Sequence, residues 1–203
     1  MALTSSLTSN KVSWDAFFQA EVKEHLKVAE KTQKSLESQF VSLVEMALNS
    51  LQKGGKIIFF GNGGSAADSQ HLATELTVRY RKNRSALAAL ALTTDTSALT
   101  AIGNDFGFNH LFERQLEALA KPEDLVIGIS TSGKSPNVIL AFEKAKELSL
   151  TTVAFTGGTG GELPGKVDLM LCVPSSITSR IQEMHIMLGQ MLCGAVEDFF
   201  SNS

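Results

Sequence analysis

Between residues 56 and 173, five short apolar runs alternate with helical segments, and no other feature of the chain constrains its fold so strongly. The runs cover residues 56–60, 87–92, 125–129, 151–155 and 169–173. Strands alternating with helices imply a parallel sheet with helices on both faces. The runs are apolar almost throughout rather than at every second residue, the pattern of strands covered on both sides. The predicted class is therefore α/β, a three-layer five-stranded parallel sheet. Residues 54–203 form this domain, residues 1–53 an N-terminal helical extension.

In the extension, residues 1–12 are polar and expected to fray. From Trp14 to Gln52, apolar residues recur at helical spacing, with a break predicted near residues 33–37 that divides two helices. Lys53-Gly54-Gly55 ends the second. A long final helix spans about residues 176–200 and is apolar nearly all round, so it must be buried on most sides. A domain this small hardly buries it alone, which points to an oligomer interface. Arg180, Gln182, Glu183, His185 and Gln190 on this helix either satisfy one another at an interface or line a site.

In open parallel sheets ligands sit beyond the carboxyl ends of the strands. The loops there are Gly61-Asn62-Gly63-Gly64-Ser65, Thr93-Thr94-Asp95, Ser130-Thr131-Ser132-Gly133-Lys134-Ser135 and residues 156–161, all rich in Gly, Ser or Thr. Small residues let backbone N–H groups approach an anion at a helix N-terminus, and hydroxyls add donors. Ser65 is expected to open a helix running to about Tyr80, and Ser135 to open the next. Either serine can also act simply as an N-cap. Two such loops on one sheet edge favour anion binding. The string GISTSGKS (128–135) fits the nucleotide-binding pattern G-x-x-x-x-G-K-[ST]. Yet Gly128 falls inside a predicted strand, Pro136 and Asn137 follow at once, and no later strand ends in the acidic residue that would hold magnesium.

His71 and Glu75 lie four residues apart on the helix after the first loop and share a face. A pair so placed can bind zinc or move a proton, or be an ordinary surface pair. The 18 Lys and Arg against 21 Asp and Glu leave a net charge of −3, with no nucleic-acid or membrane footprint. Arg79, Arg81, Lys82 and Arg84 read as a solvated helix end or a rim for an anionic substrate. Cys172 and Cys193 lack C-x-x-C spacing and read as buried free thiols of a reducing cytoplasm. The N-terminus has no apolar stretch of signal-peptide type.

The strings GNGGSAADSQH (61–71), ELTVR (75–79), LTTDTSALTAIGNDFGF (92–108), ISTSGKSPN (129–137) and RIQEMHI (180–186) resemble the phosphoheptose (sedoheptulose 7-phosphate) isomerases. The resemblance runs from about Gly54 to Phe199 and is weaker in the N-terminal helices. It implies a sugar isomerase (SIS) domain with a flavodoxin-like sheet, and homotetramers with active sites between subunits. Conversion of D-sedoheptulose 7-phosphate to D-glycero-D-manno-heptose 7-phosphate through an enediol is the implied reaction, the first step toward the heptose of bacterial surface polysaccharide. By position, Ser65, Ser130, Thr131, Ser132 and Ser135 match residues that hold phosphate. Asn62, Arg79 and Asp105 match positions around the sugar, with Gly63, Gly64, Thr94, Asp95 and Gln182 in the same binding set. Glu75 matches the carboxylate that moves the proton, and His71, Glu75 and Gln182 match ligands of one zinc per subunit.

One match fails. The family's second key histidine, zinc ligand and partner acid/base, corresponds to Gln190, which can coordinate through its amide oxygen but cannot shuttle a proton. His185, five residues earlier, should point elsewhere. Ser179 stands where some members carry Asp. A non-catalytic branch of the family, associated with a replication initiator, is the alternative, but that branch lacks the Glu matched by Glu75.

Overall fold

The computed structural model describes residues 13–201. Its order is α1 (Trp14–Gln52), β1 (Ile57–Gly61), α2 (Gly64–Thr77), β2 (Ala89–Ala91), α3 (Thr96–Asp105), a single 3₁₀ turn (Phe108–His110), α4 (Glu113–Leu119), β3 (Leu125–Ile129), α5 (Pro136–Glu147), β4 (Thr151–Gly157), β5 (Leu169–Val173) and α6 (Thr178–Ser201). The expected fraying of residues 1–12 lies outside the described residues.

The five strands form one all-parallel sheet in the order β2-β1-β3-β4-β5. Strand residues alternate between two cores. Ile57, Phe59, Leu125, Ile127, Val153 and Phe155 pack with α1, α2 and α6 on one face, while Ile58, Phe60, Val126 and Ala154 pack with Leu116, Val138 and Phe142 on the other. Both faces are therefore dry, which is why the strand sequences show no polar alternation. The strand order reverses direction between β1 and β3, and a crevice opens there beyond the strand ends. The two loops singled out for anion binding are the ones that leave these two strands.

Four expectations need correction. The N-terminal extension is one 39-residue helix rather than two. Val28, Thr32, Leu36, Leu43, Ala47 and Ser50 form a continuous buried stripe across residues 33–37, and no Gly or Pro interrupts it. The polar residues that suggested a break lie on the exposed side. Helix α2 starts at Gly64 and stops at Thr77, not Tyr80. Beyond it the N–H groups of Tyr80, Arg81 and Lys82 turn to the Glu197 carboxylate instead of continuing the helix. Arg84 is not solvated: its side chain is 2% exposed. Cys172 is half-buried, and only Cys193 is fully buried; burial raises both thiols, Cys193 to about 12.

Helix α6 packs between α1, α2 and the β4–β5 edge, so much of its burial is supplied within one chain rather than by an oligomer alone. Its polar residues divide accordingly. Arg180 donates to the Glu21 carbonyl (2.7 Å) and carboxylate (2.8 Å) on α1, and also pairs with Glu183, which faces His25 at 2.8 Å. His185 donates from Nε2 to the Thr156 carbonyl at 3.0 Å, and burial pushes its pKa down to about 4. It therefore points away from Gln190, as the five-residue spacing requires. Gln182 and Gln190 turn toward α2. No helix among the described residues is long and apolar enough to cross a membrane.

Candidate active site

Helices α2 and α6 run side by side, and small residues set how closely. A Cβ on Gly64 would lie 2.6 Å from Nε2 of Gln182, and one on Gly189 would lie 2.5 Å from Cδ1 of Leu72. A Cβ on Gly194 would come within 3.0 Å of the Tyr80 ring. The contacts advance in step (64 with 182, 72 with 189 and, just past the end of α2, 80 with 194), so the helices are parallel. Gly64, Asp68, His71 and Glu75 are spaced four, three and four residues apart and share one stripe of α2. The seam between these helices leads from the first loop to the His–Glu pair.

At the far end of the seam, Nε2 of His71 lies 2.9 Å from Oε1 of Glu75 and 2.7 Å from Nε2 of Gln190. A ring nitrogen carries either one proton or one lone pair, so it serves only one of these neighbours at a time. If it donates to Glu75, the Gln190 amide does not donate to it; if it accepts from Gln190, its approach to Glu75 is not a hydrogen bond. Such crowding of potential ligand atoms at one point suits a cation. Among the described residues no three His, Cys, Asp or Glu side chains form a metal cluster, so an ion here would have to draw on the Gln190 amide oxygen. Gln182 is not brought to this point. It rests on Gly64, about 12 Å back along α6 from Gln190 by helical rise. The Glu75 side chain is 21% exposed and that of His71 49%, so the pair is open to a ligand. Asp68, one turn before His71, is raised above the usual carboxylate range by burial, with His71 opposing the shift.

At the near end the two loops expected to bind an anion are tied together. The Asn62 and Asn137 amides bond reciprocally, 2.8 Å in each direction. Asn137 is 1% exposed, so the pair is an internal rivet between the loop after β1 and the first turn of α5. Neither serine expected to open a helix caps one. The N-cap of α2 is Gly63, with no side-chain bond, and Ser135 at the N-cap of α5 turns its hydroxyl toward Ser130, 3.2 Å away. The first N–H groups of both helices are taken up by the preceding turns: Ser65 donates to the Asn62 carbonyl, Ala66 and Ala67 to that of Gly63, and Val138 and Ile139 to that of Ser135, with the hydroxyls of Ser65, Ser130 and Ser135 nearby. Capping is the task of Asp95 instead, which accepts from the Ala98 N–H at 2.9 Å at the start of α3. Gly133 is left-handed (φ +62°), and a Cβ there would come within 2.1 Å of the Gly160 carbonyl. Glycine is what allows the two loops to nest. Thr131, Ser132 and Lys134 border a cleft of about 270 Å³ with Gly158 and Thr159. Gly128 lies inside β3, pressed between Phe60 and Phe142, so the string of nucleotide-binding type is mostly strand and tight turn.

The remaining candidates lie around the rim. Thr94 donates to the Ala91 carbonyl at 3.1 Å, and its neighbour Thr93 accepts from Gln70 of α2. Asp105 ends α3, exposed, accepting from the Asn104 amide at 2.7 Å. Arg79 is exposed just past α2. Sequence reasoning missed Asn137, Asp68 and the Arg84–Glu197 pair. Asp68 alone carried a local signal, its place on the His71 stripe.

A family model described as the SIS domain matches residues 18–157. A phosphoheptose isomerase of Paramagnetospirillum magneticum is 53% identical over 181 residues, covering 89% of this chain and 94% of that one. One from Campylobacter jejuni is 53% identical over 180 residues, covering 89% and 96%. The solved phosphoheptose isomerase of Neisseria gonorrhoeae superposes with a TM-score of 0.87 at 43% identity, over 92% of this chain and 100% of that one.

Proposed function

Since the chain belongs to the SIS-domain phosphoheptose isomerases, we propose that it converts D-sedoheptulose 7-phosphate to D-glycero-D-manno-heptose 7-phosphate, with Glu75 carrying the proton. The observation that carries this reading is the seam between α2 and α6. It runs from the glycine- and serine-rich loops at one end to a carboxylate facing an imidazole and an amide at the other. Six to ten residues of helix, about 9–15 Å, separate Ser65 from His71 and Glu75. That span suits a linear seven-carbon sugar with its phosphate in the loops and its carbonyl end at Glu75. Formation of the aldose by purified protein tests the assignment, and unchanged ketose would contradict it.

In the reaction the loops bind the phosphate, and this remote binding energy positions C1 and C2. Glu75 takes a proton from C1, leaving an enediol, and returns it to C2, while the hydroxyl proton passes from O1 to O2. The Gln190 amide can hold those oxygens by hydrogen bonds but cannot exchange protons with them. His71 orients the Glu75 carboxylate. A zinc ion held by His71, Glu75 and the amide oxygen of Gln190 would polarise the carbonyl oxygen, with only three protein ligands and hence modest affinity.

We assign the active unit to a homotetramer that places its sites between subunits. Trp14, Phe17, Phe18, Val22 and Leu26 expose an apolar stripe along the first half of α1. It continues into an apolar cleft of about 470 Å³ against Met187 and Met191 of α6. Apolar exposure on this scale marks an interaction surface. Native mass spectrometry reads both assignments: four chains with up to one zinc each is expected, and metal-free monomers would contradict them. Two free cysteines suit a reducing compartment such as the cytoplasm.

Asn137→Leu is expected to weaken binding of sedoheptulose 7-phosphate by about tenfold, because it leaves the Asn62 amide without its partner at a cost of about 1–3 kcal/mol. Calorimetric titration checks this, and unchanged affinity would show that the rivet does not shape the cradle.

A further inference from the structure

We propose that the buried Arg84–Glu197 pair is a positioning device for the isomerase site, fixing the end of α2 against α6 so that Glu75 and Arg79 keep their places; this rests on the isomerase reading above. Glu197 is 1% exposed and accepts from three successive backbone N–H groups, Tyr80 at 2.8 Å, Arg81 at 2.6 Å and Lys82 at 2.7 Å. Consecutive N–H groups folded round a carboxylate make an anion nest, here occupied by the protein's own side chain. These bonds hold the Glu197 carboxyl below the ordinary carboxylate range against the opposing effect of burial. Arg84 completes the device from the other side. Its Nε lies 3.4 Å from the Glu197 carboxylate, while its terminal nitrogens donate to the carbonyls of Glu75 and Leu76, each at 2.8 Å.

Those carbonyls belong to the last turn of α2, where a helix leaves its C=O groups without partners. An arginine there satisfies them and complements the helix dipole. One of the two clamped carbonyls is that of Glu75 itself. Arg79 sits between the end of the helix and the first N–H held by Glu197. The chain from residue 75 to residue 84 is therefore closed on itself by Arg84 and fastened at residues 80–82 to one carboxylate of α6, the helix that also carries Gln190, with the Arg84 Nε in ionic contact with that carboxylate but not hydrogen-bonded. Tyr80 packs on Gly194, and Lys82 pairs with Asp198 at 2.7 Å, which extends the same fastening. Reaction rates respond steeply to such placement, since a displacement of about 1 Å can cost about a hundredfold. The phosphate loops lie at the opposite end of α2 and make no contact with the pair.

The test uses the full chain and the variants Glu197→Gln and Arg84→Lys. Glu197→Gln keeps the shape but loses the charge and turns an N–H donor into the nest. Its kcat for sedoheptulose 7-phosphate is expected to fall at least about tenfold, with KM within about threefold of the parent and unchanged calorimetric binding stoichiometry. Full stoichiometry separates misplacement from loss of folded protein. Arg84→Lys keeps the charge but cannot bridge two carbonyls and a carboxylate, and should fall between the two; it replaces Glu197→Gln in every readout if that protein does not fold. The side-chain amide resonances of Gln190 should also shift in the variant, because its contact with His71 spans the same two helices. A kcat within twofold of the parent, or unmoved Gln190 resonances, would overturn the proposal. If the parent itself fails to turn over the sugar, the isomerase reading falls, and the Gln190 resonances alone decide whether the pair sets the seam.

Discussion

Glu75→Gln is expected to lower kcat about a thousandfold while leaving affinity for sedoheptulose 7-phosphate within a few-fold. Positioned proton transfer contributes about 10²–10⁴ in rate, and the reaction here is little else. The substitution keeps the size of the side chain and lets it still bond His71 2.9 Å away, so α2 and the loops remain intact. What it removes is the one carboxylate of the α2 stripe that faces both His71 and the end of the seam. Asp68 lies on the same stripe, nearly two turns nearer the loops, and cannot reach the same carbon. Steady-state kinetics with calorimetric binding checks the split. If turnover survived in this variant, the proton would have to be carried elsewhere, and a scaffold role for the chain would gain ground.

Gln190→His is expected to raise kcat by one to two orders of magnitude, within the range that a positioned acid/base supplies. Gln190 meets His71 at 2.7 Å, and His71 meets Glu75 at 2.9 Å, so the Gln190 side chain ends beside the proposed proton carrier. An amide there donates a hydrogen bond but cannot release a proton as O1 loses one and O2 gains one. An imidazole can do both, and the gain should carry a pH dependence in the ordinary histidine range. Equal turnover in parent and variant would mean that water or another group already moves the hydroxyl proton.

Long apolar strands and the loops that follow them were readable from local pattern, because a strand covered on both faces needs no information from elsewhere in the chain. Helix α1 was misjudged for the opposite reason. Its polar stretch at residues 33–37 is ordinary solvent-facing surface, and only the packing of Val28, Thr32, Leu36 and Leu43 against the rest of the chain shows that the helix runs through. The His71–Glu75 pair was visible at four-residue spacing. The residues that hold the site in shape were not, since each acts on a partner far away in sequence: Asn62 on Asn137, Arg84 on Glu197, His71 on Gln190. Nothing in the flanking residues of Glu197 distinguishes a buried carboxylate in a nest of N–H groups from a charge at a solvated helix end. The end of α2 was misplaced because the same carboxylate draws away N–H groups that would otherwise prolong it.

Proton transfer by Glu75 on a sugar held in the loops is most directly tested by incubating the purified chain with sedoheptulose 7-phosphate in deuterium oxide and following the sugar by NMR. The aldoheptose 7-phosphate is expected to form, with deuterium entering at C1 of the ketose and C2 of the aldose, and neither change is expected in Glu75→Gln. Recovery of the ketose unconverted and free of deuterium from the unaltered protein would contradict this expectation.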